Sequence, residues 1–132
     1  MSEIFKVDIV NPEKSFFSKE DVSEVVIPTI EGEMGILKDH IPLISFLKPG
    51  IIKVFSASDE ENFYVEDGIV EFKDNTLSIL TSSIFNLNEV NKIFVNESIT
   101  NAEKELSSDI LDDQKRFLLS YKLEVLKSLS TN

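Results

Sequence analysis

The chain has 132 residues, of which 42% are hydrophobic, carries a formal net charge of −11 and contains no cysteine. That length fits one compact unit or a small domain with an appendage, and the apolar fraction supports a real core. The charge excludes neutralisation of a phosphate backbone and adsorption to anionic lipid, and the missing cysteines exclude disulfides and thiolate metal sites.

No apolar run reaches the length of a membrane-spanning helix, because polar residues interrupt each one. Met1-Ser2-Glu3-Ile4 leads straight into strand-like alternation with no basic segment and hydrophobic block. A signal peptide is not expected. The sequence predicts a soluble chain that reaches a membrane only through another protein.

Phe5-Lys6-Val7-Asp8-Ile9 alternates apolar and charged residues, the pattern of a strand with one buried face. Asn11-Pro12 ends it, and Glu24-Val25-Val26-Ile27-Pro28 predicts a second strand closed by proline. Ile51–Phe55 follows the turn dipeptide Pro49-Gly50. Asp59-Glu60-Glu61 is expected at a solvated hairpin tip. Residues 62–66, 69–73 and 76–81 predict three further strands. The pairs Asp67-Gly68 and Asp74-Asn75 between them suit tight hairpins with positive φ. So many short strands indicate a sandwich or barrel.

All four glycines and all four prolines precede Phe85, and the breaker-free remainder permits helix. Val95, Ile99, Ala102 and Leu106 have helical spacing, with a start anywhere from Asn88 to Ser98. Ser107-Ser108 is the expected turn of a helical hairpin. Asp109 with Asp112 resembles an N-cap, and Leu111, Leu118, Val125 and Leu129, joined by Phe117 and Tyr121, predict the apolar stripe of a second helix.

Catalytic chemistry finds little footing. His40 is the only histidine, and neighbouring Asp39 is not thereby aimed at its ring. No calcium loop, P-loop or dinucleotide fingerprint occurs. No catalytic, nucleotide-binding or metal-ligating residue is assigned, and no cofactor is expected.

One stretch exceeds generic patterning. Residues 31–44, EGEMGILKDHIPLI, followed by Leu47-Lys48-Pro49-Gly50, carry a glycine-bracketed acidic loop, a histidine, a proline and a second turn in fixed order. With Val10-Asn11-Pro12-Glu13 and Phe17-Ser18 upstream, and residues 63–71, FYVEDGIVE, downstream, this stretch closely resembles the epsilon-subunit family of bacterial F-type ATP synthases. The resemblance runs collinearly over about residues 4 to 87.

The resemblance implies a β-sandwich of about ten strands over residues 1–87, then a C-terminal α-helical hairpin over residues 88–132. It implies a non-catalytic rotor subunit of the central stalk, peripheral on the cytoplasmic face of the bacterial inner membrane. Glu31 and Glu33 would face the polar loops of the c-ring, and His40, Pro42 and Ser45 would approach the gamma subunit. The hairpin of some relatives extends to the alpha/beta head and inhibits hydrolysis, but the mixed charge here predicts weak inhibition. The ATP-binding motif Ile/Leu-Asp-x-x-Arg-Ala of some relatives is replaced by Leu87-Asn88-Glu89-Val90-Asn91-Lys92, which lacks the aspartate and the arginine. A free-standing β-sandwich binding module is the alternative, and it leaves the Glu31–Gly50 pattern unexplained.

Overall fold

The computed structural model describes residues 3–12, 15–87, 92–108 and 112–130. Nine strands precede two helices among them: β1 (Phe5–Val10), β2 (Ser15–Thr29), β3 (Gly32–Ile36), β4 (Leu43–Leu47), β5 (Gly50–Ser56), β6 (Glu60–Val65), β7 (Gly68–Lys73), β8 (Thr76–Leu80), β9 (Ile84–Asn86), α1 (Lys92–Leu106) and α2 (Asp113–Ser130).

The count of nine rather than ten follows from β2, a single fifteen-residue strand serving both layers. Its first half pairs with β1, and beyond an irregularity between Val22 and Glu24 its second half runs between β3 and β5. One layer is therefore β2-β1-β8-β7-β4, with β1 parallel to β8, and the other is β3-β2-β5-β6-β9. A bridge from Thr29 to Leu47 closes β4 onto the end of β2. Pro28 does not end β2 as predicted, because the strand continues to Thr29.

Alternation places Val7, Ile9, Val25, Ile27, Ile52, Phe63, Phe72 and Ile79 in one core between the layers. The Asp74-Asn75 turn has both φ values positive, 51° and 54°, as predicted for the β7–β8 hairpin. Asp67-Gly68 departs from expectation. Here β6 pairs with β5 and β9 while β7 pairs with β4 and β8, so these residues cross between layers instead of turning a hairpin. Glu60 and Glu61 lie inside β6 rather than at its tip, and Glu61 Oε2 is buried without a hydrogen-bond partner. Its strand phase is that of Phe63 and Val65, which turns the side chain inward.

The helices form a hairpin against the outer face of the second layer. Val95 and Leu126 pack on Tyr64, joined by Phe85, Ile99, Val125 and Leu129. The start of α1 falls within the predicted range. At α2 the Asp112 carboxylate accepts from the Lys115 amide at 2.7 Å, capping the helix itself. The proposed Asp109 cap and Leu111 of the stripe lie outside the described residues, as do 88–91 of the place compared with the ATP motif. Phe117 is exposed, whereas Leu123 and Leu126 are buried.

Two further contacts dock the hairpin on the sandwich, and Arg116 ties its two helices together. Lys122 Nζ lies 2.7 Å from Glu66 Oε2, and Lys48 Nζ sits 4.0 Å from the centre of the Tyr121 ring. Arg116 donates to the Leu106 and Ser108 carbonyls at 2.9 and 3.0 Å, satisfying acceptors that the end of α1 leaves open.

Candidate functional site

The five residues singled out for partner contact fall into two places. Ile30-Glu31 forms the β2–β3 turn, and Gly32 takes a φ of 132° that few side chains tolerate. The Ile30 amide donates to the Phe46 carbonyl at 3.0 Å and the Lys48 amide to Pro28 at 3.0 Å, so this turn and the β4–β5 loop share one end of the sandwich. Glu31 and Glu33 are both exposed there. Glu33 borders a cleft of about 360 Å³ between this end and α2, lined also by Lys48, Lys53, Tyr121 and Glu124. With both charge signs on its walls, the cleft offers no clear preference for an anion or a cation.

Ser45 lies in the middle of β4. It is 4% exposed, and its hydroxyl donates to Glu31 Oε1 at 3.2 Å. Its phase along β4 matches that of Leu43 and Leu47, which point inward. Buried in this way, it supports the acidic turn from below.

His40 and Pro42 occupy the opposite end, in the β3–β4 loop. His40 Nδ1 donates to the Ile41 carbonyl at 2.8 Å, and the ring stands edge-on to Phe72 at 6.1 Å. The carbonyl can only accept, so the proton sits on Nδ1. The histidine caps the end of the core, while Pro42 and its neighbour Ile41 are exposed.

A surface that the sequence reading did not single out links the two ends. The outward positions of β4 are Ile44 and Phe46, 68% and 54% exposed. Phe46 pairs with Ile69 of β7, and Ile69 with Leu80 of β8, giving a row of three exposed apolar side chains across the strands. Ile41 at 74% exposure lies at one end of β4, and Ile30 is bonded to Phe46 at the other. A signal was present: residues 43–47, LISFL, are apolar in both strand phases. Such a stretch reads as buried on both sides, and in the isolated chain only one side is covered.

Among the described residues, Tyr64 is the titratable group displaced clearly from its ordinary range. Burial pushes its phenol well above the ordinary range, and the neighbouring Glu66 carboxylate, with its hydrogen bond, adds to the effect.

Against this geometry stand the known relatives. The family described as ATP synthase, Delta/Epsilon chain, beta-sandwich domain matches residues 4–87. The ATP synthase epsilon chain of Pelagibacter ubique is 62% identical over 130 residues, 98% of this chain and 100% of the relative. That of Dichelobacter nodosus is 38% identical over 109 residues, 82% and 76% of the two chains. Two solved assemblies share the fold. One is a Euglena gracilis mitochondrial ATP synthase (OSCP/F1/c-ring), with a TM-score of 0.77, 22% identity, and 99% of this chain and 82% of the other covered. The other is the central stalk and c-ring of the Tetrahymena thermophila mitochondrial enzyme, at 0.69, 19%, and 95% of each chain. From the match across the sandwich and the near-complete alignment with the Pelagibacter epsilon chain, the chain belongs to the ATP synthase delta/epsilon chain family.

Proposed function

We propose that the chain is the non-catalytic central-stalk subunit that couples c-ring rotation to ATP synthesis through the gamma subunit. The observation that carries this reading is the exposed apolar strip along β4, flanked by Ile69 and Leu80. Contiguous apolar surface of this kind costs solubility unless a partner covers it. An elongated strip suits an elongated partner, and the gamma shaft has that form. The acidic turn at Glu31 and Glu33 then meets the polar loops of the c-ring, where complementary charge sets register more than affinity.

The mechanical demand fits the packing. Torque passes only through a connector that resists deformation, and a close-packed two-layer core has low compressibility. Membrane association is peripheral in this reading, at the cytoplasmic face of a bacterial inner membrane. No helix among the described residues is long and apolar enough to cross a membrane. The hairpin is at most a weak regulator of hydrolysis, in keeping with its mixed charge. The free-standing module gains no support, since full-length relatives are ATP synthase chains.

The direct test replaces Phe46 by Ser and Ile44 by Asp and measures affinity for the cognate gamma subunit. Each change is expected to weaken binding by about tenfold or more while leaving thermal stability near that of the parent. Unchanged affinity for both would overturn this surface assignment.

A further inference from the structure

We infer that Asn75 is a positioning residue for the gamma-facing surface, holding the β3–β4 loop from the neighbouring β7–β8 turn. The inference rests on the proposed function in one respect, that Ile41 and the adjoining β4 strip meet gamma.

Topology brings the two segments together. Strand β4 pairs with β7 so that Leu43 lies opposite Phe72, which sets the loop entering β4 beside the turn leaving β7. Across that junction the Asp39 amide donates to Asn75 Oδ1 at 2.7 Å, and Asn75 Nδ2 donates back to Asp39 Oδ1 at 2.9 Å. A primary amide can give and accept in this way at once, which a carboxylate at position 75, having no donor, cannot reproduce with the same partners.

The backbone shows why the loop needs holding. Among the described residues, those other than glycine with positive φ are Asp39 (67°), Asp74 (51°) and Asn75 (54°), and all three sit at this corner. Left-handed conformations are sparsely populated by side-chain-bearing residues and persist where the surroundings fix them. At Asp74-Asn75 the hairpin itself supplies the constraint. Asp39 lies in a turn that the His40 amide closes by donating to the Leu37 carbonyl at 3.1 Å, and the reciprocal pair with Asn75 ties that turn from outside, aided on the next residue by the His40 ring against Phe72.

Both hydrogen bonds are exposed, so they add little to global stability. Their consequence is local. They fix a left-handed residue two positions before Ile41, and so set how Ile41 and Pro42 lead into Ile44 and Phe46. An apolar contact surface fixed before encounter loses less freedom on binding.

Asn75→Gly separates the roles, because Asp-Gly is itself a favoured pair for this turn and only the side-chain bonds disappear. The expected result is a thermal midpoint near that of the parent and an Asp39 amide that exchanges about tenfold faster or more. Gamma affinity is expected to fall by about tenfold. Asn75→Asp alone sets two carboxylates against each other and is expected to behave similarly. Combining it with Asp39→Asn restores one donor facing one acceptor and is expected to recover most of the affinity, with the thermal midpoint near the parent's in every variant, which separates positioning from a loss of global stability. Unchanged Asp39 exchange in Asn75→Gly overturns the clamp. A loosened loop with parental gamma affinity overturns the positioning role when Ile41→Asp does weaken binding. Should Ile41→Asp bind as the parent does, the gamma-facing assignment of this loop falls instead.

Discussion

Tyr64 is 2% exposed, lying between the second strand layer and the hairpin with its ring stacked on Phe85 at 6.3 Å. A phenol whose pKa is raised on folding keeps its proton longer in the native chain than in the unfolded one. The associated stability is therefore complete below about pH 10, the unfolded value, and is lost as pH rises beyond it. The slope from this one group approaches about 1.4 kcal/mol per pH unit. Denaturant unfolding measured from pH 9 to 11 is expected to show a shallower decline in Tyr64→Phe than in the parent. Identical declines would show that ionisation of Tyr64 is not linked to unfolding. Single residues were legible mainly where a backbone rule acted on them. Asp74-Asn75 announced its positive φ because few residue pairs accept it. Gly50 read only as a turn dipeptide with Pro49, yet a Cβ there would lie 2.6 Å from Pro28 Cβ, a clash between segments twenty-two positions apart. The burial of Ser45 was not legible either: whether a strand position faces core or solvent depends on its phase, and residues 43–47 show apolar side chains in both phases.

At the scale of elements, α2 shows what helical periodicity conveys and what it omits. The stripe through Leu118, Val125 and Leu129 was readable, but Leu123 and Leu126 are the buried positions of this helix. The helix meets α1 on one side and the sandwich on another, so its covered arc is wider than one stripe and pattern alone does not divide it. The polar contacts within the hairpin were less visible still. Arg116 forks onto the Leu106 and Ser108 carbonyls across the inter-helix connection, and no local sequence rule predicts so long a cap. Arg116→Ala is expected to destabilise the hairpin by about 1.5–3 kcal/mol, the usual range for hydrogen bonds to a charged group. Arg116→Lys is expected to recover only part of this, because an ammonium lacks the planar fork. Hydrogen exchange localises the effect: amides of α1 and α2 exchange faster in Arg116→Ala, while those of β1 and β8 keep their protection. Equal acceleration in helices and strands would mean that the hairpin and sandwich open as one unit.

The whole molecule invites a division that we propose at Leu87, with the sandwich able to stand without the hairpin. The core between the strand layers is built from strand residues throughout, and the helices share a separate cluster on its outer face. The apolar strip of Ile44, Phe46, Ile69 and Leu80 belongs to the other layer, away from Tyr64 and Phe85, so removal of the helices leaves it in place. A chain ending at Leu87 is therefore expected to unfold cooperatively, with a midpoint lower by about 4–8 °C for each kcal/mol of docking lost. It is also expected to bind gamma within about threefold of the full-length affinity, since 1.4 kcal/mol would already be tenfold. Newly exposed Tyr64 and Phe85 provide an internal check through increased binding of a hydrophobic dye. Loss of gamma binding by a folded truncation would place essential contacts in the hairpin and overturn this division of labour. Hydrolysis by the assembled complex separates the remaining role. A rise of several-fold on truncation would make the hairpin a brake, whereas the mixed charge of its helices predicts a smaller change.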